Sequence, residues 1–411
     1  MKKRVCRFCD TPLGITFLDL GMSPLANSNL TESQLNAVET FFPLHVYVCE
    51  ACLLVQLEEC SSPDKIFSDY DYFSSFSDSW LRHAQQYSEQ VINRFALNAS
   101  SQVVEIASND GYLLKNFCKK GIPVLGIEPA RNVAEVAREN GVTTLVEFFG
   151  EKLAHSLTDK GTQADLLIGN NVLAHVPALN DFVRGLKVLL KPKGVITLEF
   201  PHLMRLMADT QFDTIYHEHF SYFSFLTVQK IFAKHGLKVF DVEELSTHGG
   251  SLRIYCGHEQ DSTKSIQPRV LELQQREEKD GFGQLAHYLS FSGRVTYVKR
   301  QLLLFLISAK EAGKTIAAYG APAKGNTLLN YCGIGTDFID YTVDRSPHKQ
   351  GKFLPGTHIP IDEPDAIKKT KPDYLLILPW NLKDEIMEQM AFIRDWGGAF
   401  VVPIPEVVVY P

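Results

Sequence analysis

The stretch VVEIASNDG, residues 103–111, decides the fold, because an apolar run ends there in a turn of small and polar residues. Branched residues at 103–106 predict a buried strand that a helix follows after the turn. Apolar runs at Val124 to Glu128, Asp165 to Gly169 and Val195 to Phe200 predict further strands, separated by helical stretches. This alternation predicts an α/β fold with a parallel sheet covered by helices, and places ligands at the carboxyl ends of the strands.

The turn after the first strand carries one glycine, Gly111, and an acidic residue ends each of the first two strands. A dinucleotide site needs GxGxxG to bring a pyrophosphate onto a helix N-terminus, so the single glycine disfavours that cofactor. The pattern suits S-adenosylmethionine instead, with Glu105 and Asp110 near the methionine amino group and Glu128 on the ribose hydroxyls. A Rossmann-like fold with a different ligand stays open. The residues predicted to bind the cofactor are Glu105, Ala107, Asn109, Asp110, Gly111, Glu128, Asn170 and Asn171.

Cysteine spacing points to a separate module at the start of the chain. A chain of 411 residues is too long for one ordinary core, so two or three domains are expected. Four of its eight cysteines form two C-x-x-C knuckles, Cys6 with Cys9 and Cys49 with Cys52. Such knuckles suit tetrahedral coordination of zinc, and the alternative is two independent redox or accidental pairs. Four thiolates would close the coordination sphere, so this zinc is predicted to be structural.

Composition and charge exclude several classes of protein. A hydrophobic content of 45% and a charged content of 22% are those of a globular protein in water. The net charge of −7 argues against broad nucleic-acid binding. No apolar segment follows Met1-Lys-Lys-Arg, and no apolar run reaches the length of a membrane span. We therefore expect a cytoplasmic monomer that binds neither nucleic acid nor membrane.

A second informative stretch, TIYHEHFSYF at residues 214–223, concentrates side chains that exchange protons. Histidine titrates near neutrality, and a neighbouring carboxylate can orient it or raise its basicity. The spacing is not that of a zinc protease, which needs two histidines four apart on a helix. The stretch is predicted to act in proton transfer, and the alternative is a surface turn that holds two histidines.

The C-terminal part of the chain contains a second strand–turn–helix pattern. A strand at Thr315 to Tyr319 leads into the turn GAPAKGN, residues 320–326, and a helix follows from Thr327. A glycine-bracketed turn with Lys324 at a helix N-terminus is a reasonable phosphate cradle. The next strand is predicted at Ile339 to Val343, and Asp344 at its end is placed to take a ribose or deoxyribose hydroxyl. The alternative is a degenerate Rossmann unit kept for packing.

The segment FSDYDYFSSF, residues 67–76, is dense in aromatic and hydroxyl side chains. Tyrosine offers an apolar face and a polar tip, which suits a segment that covers a substrate pocket. A packed linker explains the same composition. The residues alone leave both interpretations open.

With these motifs in view, the chain resembles the deoxysugar C-methyltransferases that act on nucleotide-linked keto sugars. The resemblance runs through nearly the whole length, in the order of the two knuckles, YDYFSS, EIASNDG, NNVLAHV, YHEHFSYFS, THGGSLR, YGAPAKGN and KQGKFLPGTHIPI. The run LKPKGVITLEF, residues 190–200, also resembles the corresponding region of class I methyltransferases. The resemblance implies a zinc-binding N-terminal domain at 1–75, a class I methyltransferase Rossmann-like domain at 76–268, and a helical connection with a C-terminal Rossmann-like nucleotide-sugar domain at 269–411.

The resemblance implies methylation by S-adenosylmethionine of a ring carbon, C-3, beside the ketone of a thymidine-diphosphate (dTDP) keto-deoxysugar. Carbon is not nucleophilic until its α proton is removed, so a base must reach that proton while donors stabilise the enolate oxygen. The residue implied as the base is His219, and the other implied catalytic residues are Tyr216, Glu218, His175, Tyr222 and Tyr70. The neighbouring Tyr72 is an alternative to Tyr70. The residues implied in substrate binding are Tyr72, His202, His217, His248, Tyr319, Gly320, Pro322, Lys324, Asn326, Asp344 and Lys349.

Two other functions compete with this one. A catalytically silent protein that binds a nucleotide sugar would share the fold, but it has no use for the base His219. A zinc-ribbon methyltransferase acting on RNA or protein is disfavoured by the negative net charge and by the second nucleotide-type unit.

Overall fold

The computed structural model describes residues 4–60, 75 and 78–411. The chain forms two compact units, and each unit is assembled from three stretches of sequence. The first unit comprises Met1–Gly14, Cys49–His202 and Phe220–Gln284, and the second comprises Ile15–Val48, Leu203–His219 and Leu285–Pro411. The units interleave along the chain, so the expected domain bounds at 75 and 268 describe the order of the motifs rather than these units.

The strands of the described residues are β1 (Thr16–Ser23), β2 (Phe42–Val48), β3 (Val55–Leu57), β4 (Val103–Ile106), β5 (Val124–Ile127), β6 (Thr144–Leu145), β7 (Ala164–Asn170), β8 (Leu190–Pro201), β9 (Ser221–Tyr222), β10 (Leu237–Leu245), β11 (Ser251–His258), β12 (Ile316–Tyr319), β13 (Thr342–Val343), β14 (Ile361–Asp362), β15 (Tyr374–Ile377), β16 (Ala399–Val402) and β17 (Val408–Tyr410).

The α-helices of the same residues are α1 (Asp78–Arg94), α2 (Leu114–Cys118), α3 (Arg131–Glu139), α4 (Glu151–Asp159), α5 (Leu179–Leu189), α6 (Leu203–Ala208), α7 (Phe225–Lys234), α8 (Pro268–Lys279), α9 (Leu285–Leu289), α10 (Phe291–Glu311), α11 (Ala323–Cys332), α12 (Ala366–Thr370) and α13 (Lys383–Gln389).

The first unit is built on a seven-stranded sheet in the order β10-β11-β8-β7-β4-β5-β6. Strands β4 to β8 pair in parallel, whereas β11 runs antiparallel to both β8 and β10. The chain adds strands on one side of β4 and then on the other, so the topological switch point lies between β4 and β7. This is the class I methyltransferase fold predicted from residues 103–200.

Helices and an apolar core cover this sheet. The core packs Tyr87 and Val91 of α1 against Phe117 of α2 and against Leu166 and Ile168 of β7. Each of these side chains is almost fully buried, and such burial contributes about 1.5–3 kcal/mol per large apolar side chain. The core therefore anchors the strands whose carboxyl ends carry the candidate site.

The second unit is built on a six-stranded sheet in the order β14-β13-β12-β15-β16-β17. All neighbouring pairs are parallel except β16 with β17. The chain again adds strands on both sides of a central strand, β12, so a second switch point lies between β12 and β15. The C-terminal Rossmann-like architecture predicted from the sequence is confirmed. The strand predicted at Ile339 to Val343 was too long, because Ile339 closes a helical turn on Gly335 and only β13 remains extended.

Two short antiparallel pairs complete the sheet structure. β1 pairs with β2 in the second unit, and β3 pairs with β9 in the first. Among the described residues, we find no helix that combines the length and the apolar composition needed to cross a bilayer.

Candidate active site

The first polar group of the site lies on β4, beside the switch point of the seven-stranded sheet. Glu105 is fully buried, and neither of its carboxylate oxygens has a hydrogen-bond partner among the described residues. Burial, followed by the charges of Glu128 and Asp110, raises the pKa of Glu105 well above its ordinary value. A buried carboxylate without a partner is costly, and a bound cation would offset that cost. The position of Glu105 therefore suits a positively charged ligand.

The turn after β4 has an unusual backbone. Ala107, Asn109 and Gly111 have positive φ angles of 55°, 49° and 77°. Residues other than glycine adopt this region at a cost, and such residues cluster at ligand sites. At Gly111 a Cβ atom would lie 2.9 Å from Cγ2 of Val142, so this position has no room for a side chain.

Two more acids surround this turn. Glu128 follows β5, and its two carboxylate oxygens accept the backbone N–H groups of Asn109 and Ala130, both at 2.9 Å. Asp110 accepts the backbone N–H of Ser75 at 3.1 Å through Oδ2, while its Oδ1 has no partner among the described residues. Burial raises the pKa of Glu128 above its ordinary value. A carboxylate oxygen has two lone pairs, so Glu128 retains the capacity to accept a hydroxyl.

The third part of the candidate cofactor site follows β7. The side-chain oxygens of Asn170 and Asn171 are buried and have no partner among the residues that the structure describes. Asn171 has a positive φ of 53° and donates from Nδ2 to Nε2 of His248 at 3.1 Å. The indole of Trp80 meets the His248 ring edge-on, with 5.4 Å between ring centroids. The structure thus brings the predicted residues from four separate loops to one edge of the sheet.

Two predicted catalytic residues of the first unit lie on adjoining elements. His175 ends the 3-10 turn Leu173–His175, and Tyr222 ends β9. The backbone N–H of Phe220 donates to the carbonyl of Ala174 at 2.7 Å, which holds the chain before β9 against that turn. His175 and Tyr222 are therefore positioned by one shared contact.

His202 has a structural position that does not support the predicted substrate contact. It is 1% exposed, and its Nε2 donates to Oε1 of Glu277 at 2.6 Å. Glu277 is also fully buried and accepts the backbone N–H groups of Phe225 and Leu226 at 2.7 and 2.9 Å. Because the pair holds the N-terminus of α7, we assign His202 to the interior of the first unit.

The four knuckle cysteines come together as predicted. Sulfur atoms of Cys6 and Cys52 are 3.6 Å apart, those of Cys9 and Cys49 are 3.5 Å apart, and all four lie within 4.8 Å of one another. Tetrahedral zinc with bonds of about 2.3 Å would separate its thiolates by about 3.8 Å. The hydrogen bond from Cys52 lowers the pKa of the Cys6 thiol to about 4, which favours a thiolate. The cluster therefore fits a closed zinc site.

Residues 214–219 of the predicted catalytic stretch belong to the second unit. The Nδ1 atom of His219 lies 2.8 Å from the carbonyl oxygen of Thr214. A carbonyl only accepts, so Nδ1 carries the hydrogen and the lone pair of the neutral ring is on Nε2. The ring of Tyr216 lies against that of His219, with centroids 4.0 Å apart. The stretch thus holds an imidazole in the tautomer that a general base needs.

Glu218 and His217 point into different surroundings. Glu218 is 5% exposed and accepts the side-chain amide of Asn27 at 2.6 Å. His217 is 3% exposed, and its ring meets Phe42 edge-on at 5.9 Å between centroids. Burial lowers the pKa of His217, so this ring is neutral near pH 7. A buried neutral histidine packed on an aromatic ring does not support the predicted substrate contact.

The second strand–turn–helix has its polar groups bonded within the unit. Asp344 accepts the backbone N–H groups of Ala321 and Ser346, both at 2.8 Å. Lys349 donates to the carbonyl of Ala321 at 2.8 Å, and the Tyr319 hydroxyl donates to Gln389 at 3.2 Å. Pro322 caps α11 at its start, and Gly320 has a positive φ of 91°.

Asn326 and Lys324 of α11 also form hydrogen bonds with groups of the second unit. Asn326 is 1% exposed and donates to the carbonyl of Ala26 at 2.9 Å. Lys324 donates from Nζ to Oδ1 of Asn381 at 2.6 Å. The predicted strand–turn–helix therefore forms, its lysine donates to a protein group, and its role as a phosphate cradle stays a prediction.

Two predicted site residues lie in a part of the chain that the structure does not describe, and three other residues with long-range contacts were not predicted from the sequence. Tyr70 and Tyr72 lie outside the described residues. Trp80, Asn27 and Asp213 were not predicted from the sequence. Each contacts a residue far away in the chain, which is His248, Glu218 and Trp380 respectively. No local pattern would have marked them.

Comparison with known proteins agrees with this geometry. Residues 6–67 match the family "zinc binding domain", 80–242 match "Methyltransferase domain", and 246–405 match "C-methyltransferase C-terminal domain". The C-methyltransferase NovU of Streptomyces niveus is 36% identical over 401 residues, which are 98% of this chain and 95% of that protein. The chain belongs to this C-methyltransferase family. It is an S-adenosylmethionine-dependent C-methyltransferase with an N-terminal zinc-binding module.

More distant members of the wider methyltransferase group match only part of this C-methyltransferase. The ubiquinone biosynthesis O-methyltransferase of Bartonella quintana is 26% identical over 96 residues, 23% of this chain and 39% of that protein. The structure of magnesium protoporphyrin IX methyltransferase from Synechocystis PCC 6803 with bound SAH covers 43% of this chain and 82% of that chain, at 15% identity and a TM-score of 0.34. Neither partial match bears on the substrate.

Proposed function

We propose that this C-methyltransferase methylates a ring carbon, C-3, next to the ketone of a dTDP-linked 4-keto-deoxysugar. The sequence resemblance to deoxysugar C-methyltransferases and the whole-length match to a C-methyltransferase support the reaction class. The observation that supports the mechanism most directly is the hydrogen bond from Nδ1 of His219 to the carbonyl of Thr214. In a neutral ring that bond places the hydrogen on Nδ1 and the basic lone pair on Nε2.

The first chemical step asks for a base and for hydrogen-bond donors. His219 would remove the proton α to the ketone, because a neutral imidazole is a good base near pH 7. Tyr216, His175 and Tyr222 are proposed to stabilise the enolate oxygen by donating hydrogen bonds to it. Glu218, which Asn27 holds by its carboxylate, is proposed to orient the neighbouring groups.

The second step requires the protein to bind the cofactor. When bound, S-adenosylmethionine supplies an activated methyl group, so alignment is the main remaining requirement. Glu105 and Asp110 offer buried carboxylate oxygens without described partners for the methionine ammonium group. Glu128 is placed after β5, where it would accept the ribose hydroxyls. We propose these three acids as the principal cofactor contacts.

Zinc would have no part in this chemistry. Four cysteine sulfurs leave no open coordination position, so the metal would hold the N-terminal module together. Metal analysis should find about one zinc per chain.

The test separates proton removal from methyl transfer. Mass spectrometry of products from a panel of dTDP keto sugars with S-adenosylmethionine identifies the substrate, and solvent deuterium incorporation without the cofactor reports proton removal. His219→Asn should lower both rates by about 10²–10⁴, the usual contribution of a general base, while cofactor affinity stays unchanged. His155→Asn, on the exposed face of α4, is the matched control and should behave as wild type.

Two results would contradict the proposal. Deuterium exchange in His219→Asn at the wild-type rate would make another residue the base. If no keto sugar in the panel gained a methyl group, another substrate class or a silent binding protein would be favoured.

A further inference from the structure

The second switch point holds a carboxylate supplied by the chain itself. Trp380, just after β15, donates its indole N–H to Oδ2 of Asp213 at 2.7 Å. The Nζ of Lys324, near the N-terminus of α11, lies 4.8 Å from the centroid of the same indole ring. Asp213 has no exposed surface. A buried carboxylate therefore contacts the same indole ring that Lys324 contacts.

Burial affects both charged groups of this cluster. Burial raises the pKa of Asp213 to about 6, and the charge of Lys324 opposes that shift. Burial also lowers the pKa of Lys324, and the charge of Asp213 opposes that shift in turn. Removing one member of such a pair leaves the other as an uncompensated buried charge. The two residues therefore depend on each other.

Helix α11 also holds the chain on the other side of Asp213. Asp213 is part of the 3-10 turn Phe212–Thr214, which packs against α11. The hydroxyl of Thr327 on α11 donates to the carbonyl of Ile215 at 3.0 Å. The segment from 212 to 215 is thus fixed to the second strand–turn–helix at two points.

The same segment carries the acceptor that orients His219. Thr214 directly follows Asp213, and its carbonyl accepts Nδ1–H of His219 at 2.8 Å. A shift of this carbonyl would free the imidazole to rotate or to change tautomer. A continuous series of contacts therefore joins Lys324 and Trp380 to the predicted base.

We infer that Asp213, Trp380 and Lys324 are positioning residues for His219, with Lys324 balancing the buried charge of Asp213 instead of that of a phosphate. This inference rests on the proposed role of His219 as the base. It assigns Lys324 to orientation of the imidazole and removes it from the substrate contacts.

The experiment compares Lys324→Met, Asp213→Asn and the double variant with wild type. The turnover number should fall about 10–100-fold in each single variant, because the base is misoriented but present. The double variant should be no slower than the slower single variant, since both changes break one interaction. Calorimetry with thymidine diphosphate should give a dissociation constant within about twofold of wild type for Lys324→Met.

A direct readout of orientation needs no turnover. Nitrogen-15 NMR of histidine-labelled protein, assigned with His219→Asn, should show His219 protonated at Nδ1 in wild type and a mixture of tautomers in Asp213→Asn. Trp380→Phe keeps an aromatic side chain but removes the indole N–H donor, so it tests the same bond if Lys324→Met fails to fold. Lys314→Met, in an exposed pair with Asp373, is the matched control and should match wild type in every measurement.

Two outcomes would overturn the inference. One is a loss of thymidine diphosphate affinity of tenfold or more in Lys324→Met with an unchanged His219 tautomer, which makes Lys324 a phosphate ligand. The other is an Asp213→Asn protein with wild-type tautomer and turnover. Both differ from failure of the proposed function, in which His219→Asn would still exchange the substrate proton.

Discussion

The two strand–turn–helix units of this chain share a topology and differ in how their polar groups are satisfied. Each turn follows the central strand of a doubly wound sheet, and each contains a glycine of positive φ, Gly111 or Gly320. In the first turn, Glu105 is buried with no hydrogen-bond partner among the described residues. In the second unit, Lys324 of the turn donates to Asn381, and Asp344 after β13 accepts two backbone N–H groups, as Glu128 does after β5.

This difference separates a ligand site from a scaffold. A buried charge without a partner is retained at a cost, which a bound ligand can offset. A turn whose donors and acceptors are already paired contributes to stability and offers little to a ligand. The pattern of satisfied groups, and not the glycine, therefore distinguishes the two turns.

The largest expected effect concerns the protonation of Asp213, the buried acid that accepts the indole N–H of Trp380. Its pKa of about 6 in the folded protein is above its ordinary value, so the folded state binds this proton more tightly than the unfolded state. The associated stability is complete below about pH 4 and is lost as the pH rises through about 6, by up to about 3 kcal/mol. Chemical denaturation at several pH values should show this loss in wild type and not in Asp213→Asn. If the free energy of unfolding varied with pH in the same way in both proteins, this prediction would be wrong.

The next effect concerns the unpaired acid of the first turn. Glu105→Gln should weaken S-adenosylmethionine binding by about 10–100-fold, because it removes a charged partner of the ammonium group. The same change should raise the melting temperature of the cofactor-free protein, since it removes a buried charge. Asp344→Asn is the matched change in the second turn, and calorimetry should find its cofactor affinity unaltered. A Glu105→Gln protein with wild-type affinity would place the ammonium group elsewhere.

A smaller effect is expected at the feature that the turns share. Gly111→Ala and Gly320→Ala should each lower the free energy of unfolding by about 1–3 kcal/mol, because both have positive φ. An added Cβ would lie 2.9 Å from Cγ2 of Val142 at Gly111, and 2.7 Å from Cδ of Pro379 at Gly320. Gly283→Ala, where a Cβ would meet no atom within 4 Å, is the control for denaturant titration. Unequal losses at Gly111 and Gly320 would show that one turn can relax.

The smallest effect concerns Glu128, whose carboxylate supports the first turn as well as the predicted ribose contact. Glu128→Gln keeps one oxygen acceptor and should weaken S-adenosylmethionine binding by about tenfold, roughly the loss of one hydrogen bond to a charged group. Calorimetry measures this loss directly. Thymidine diphosphate binding should not change, and an effect on that ligand instead would reverse the roles of the two turns.

Much of the fold could be predicted because its signals are local. The apolar run at 103–106 is confirmed as β4 with the same bounds, and the strand predicted at Val195 to Phe200 lies within β8. The paired C-x-x-C knuckles likewise predicted the thiolate cluster, because their spacing determines which sulfurs can share a metal. The acids around Gly111 could be named for the same reason, since the carboxyl ends of parallel strands meet at one edge of a sheet.

The sequence by itself therefore determined the order of the elements and the four cysteines that come together, and it predicted the residues proposed to bind the cofactor. Only the tertiary structure decided that His202 is paired with Glu277, that Asn27 holds Glu218, and that Asp213 binds Trp380. Each of these pairs joins residues far apart in the chain, and a hydrogen bond leaves no periodic pattern in the sequence around it. The predicted cradle at 320–326 shows the same limit, because local composition can favour an anion site without revealing that its lysine donates to a distant side chain, Asn381.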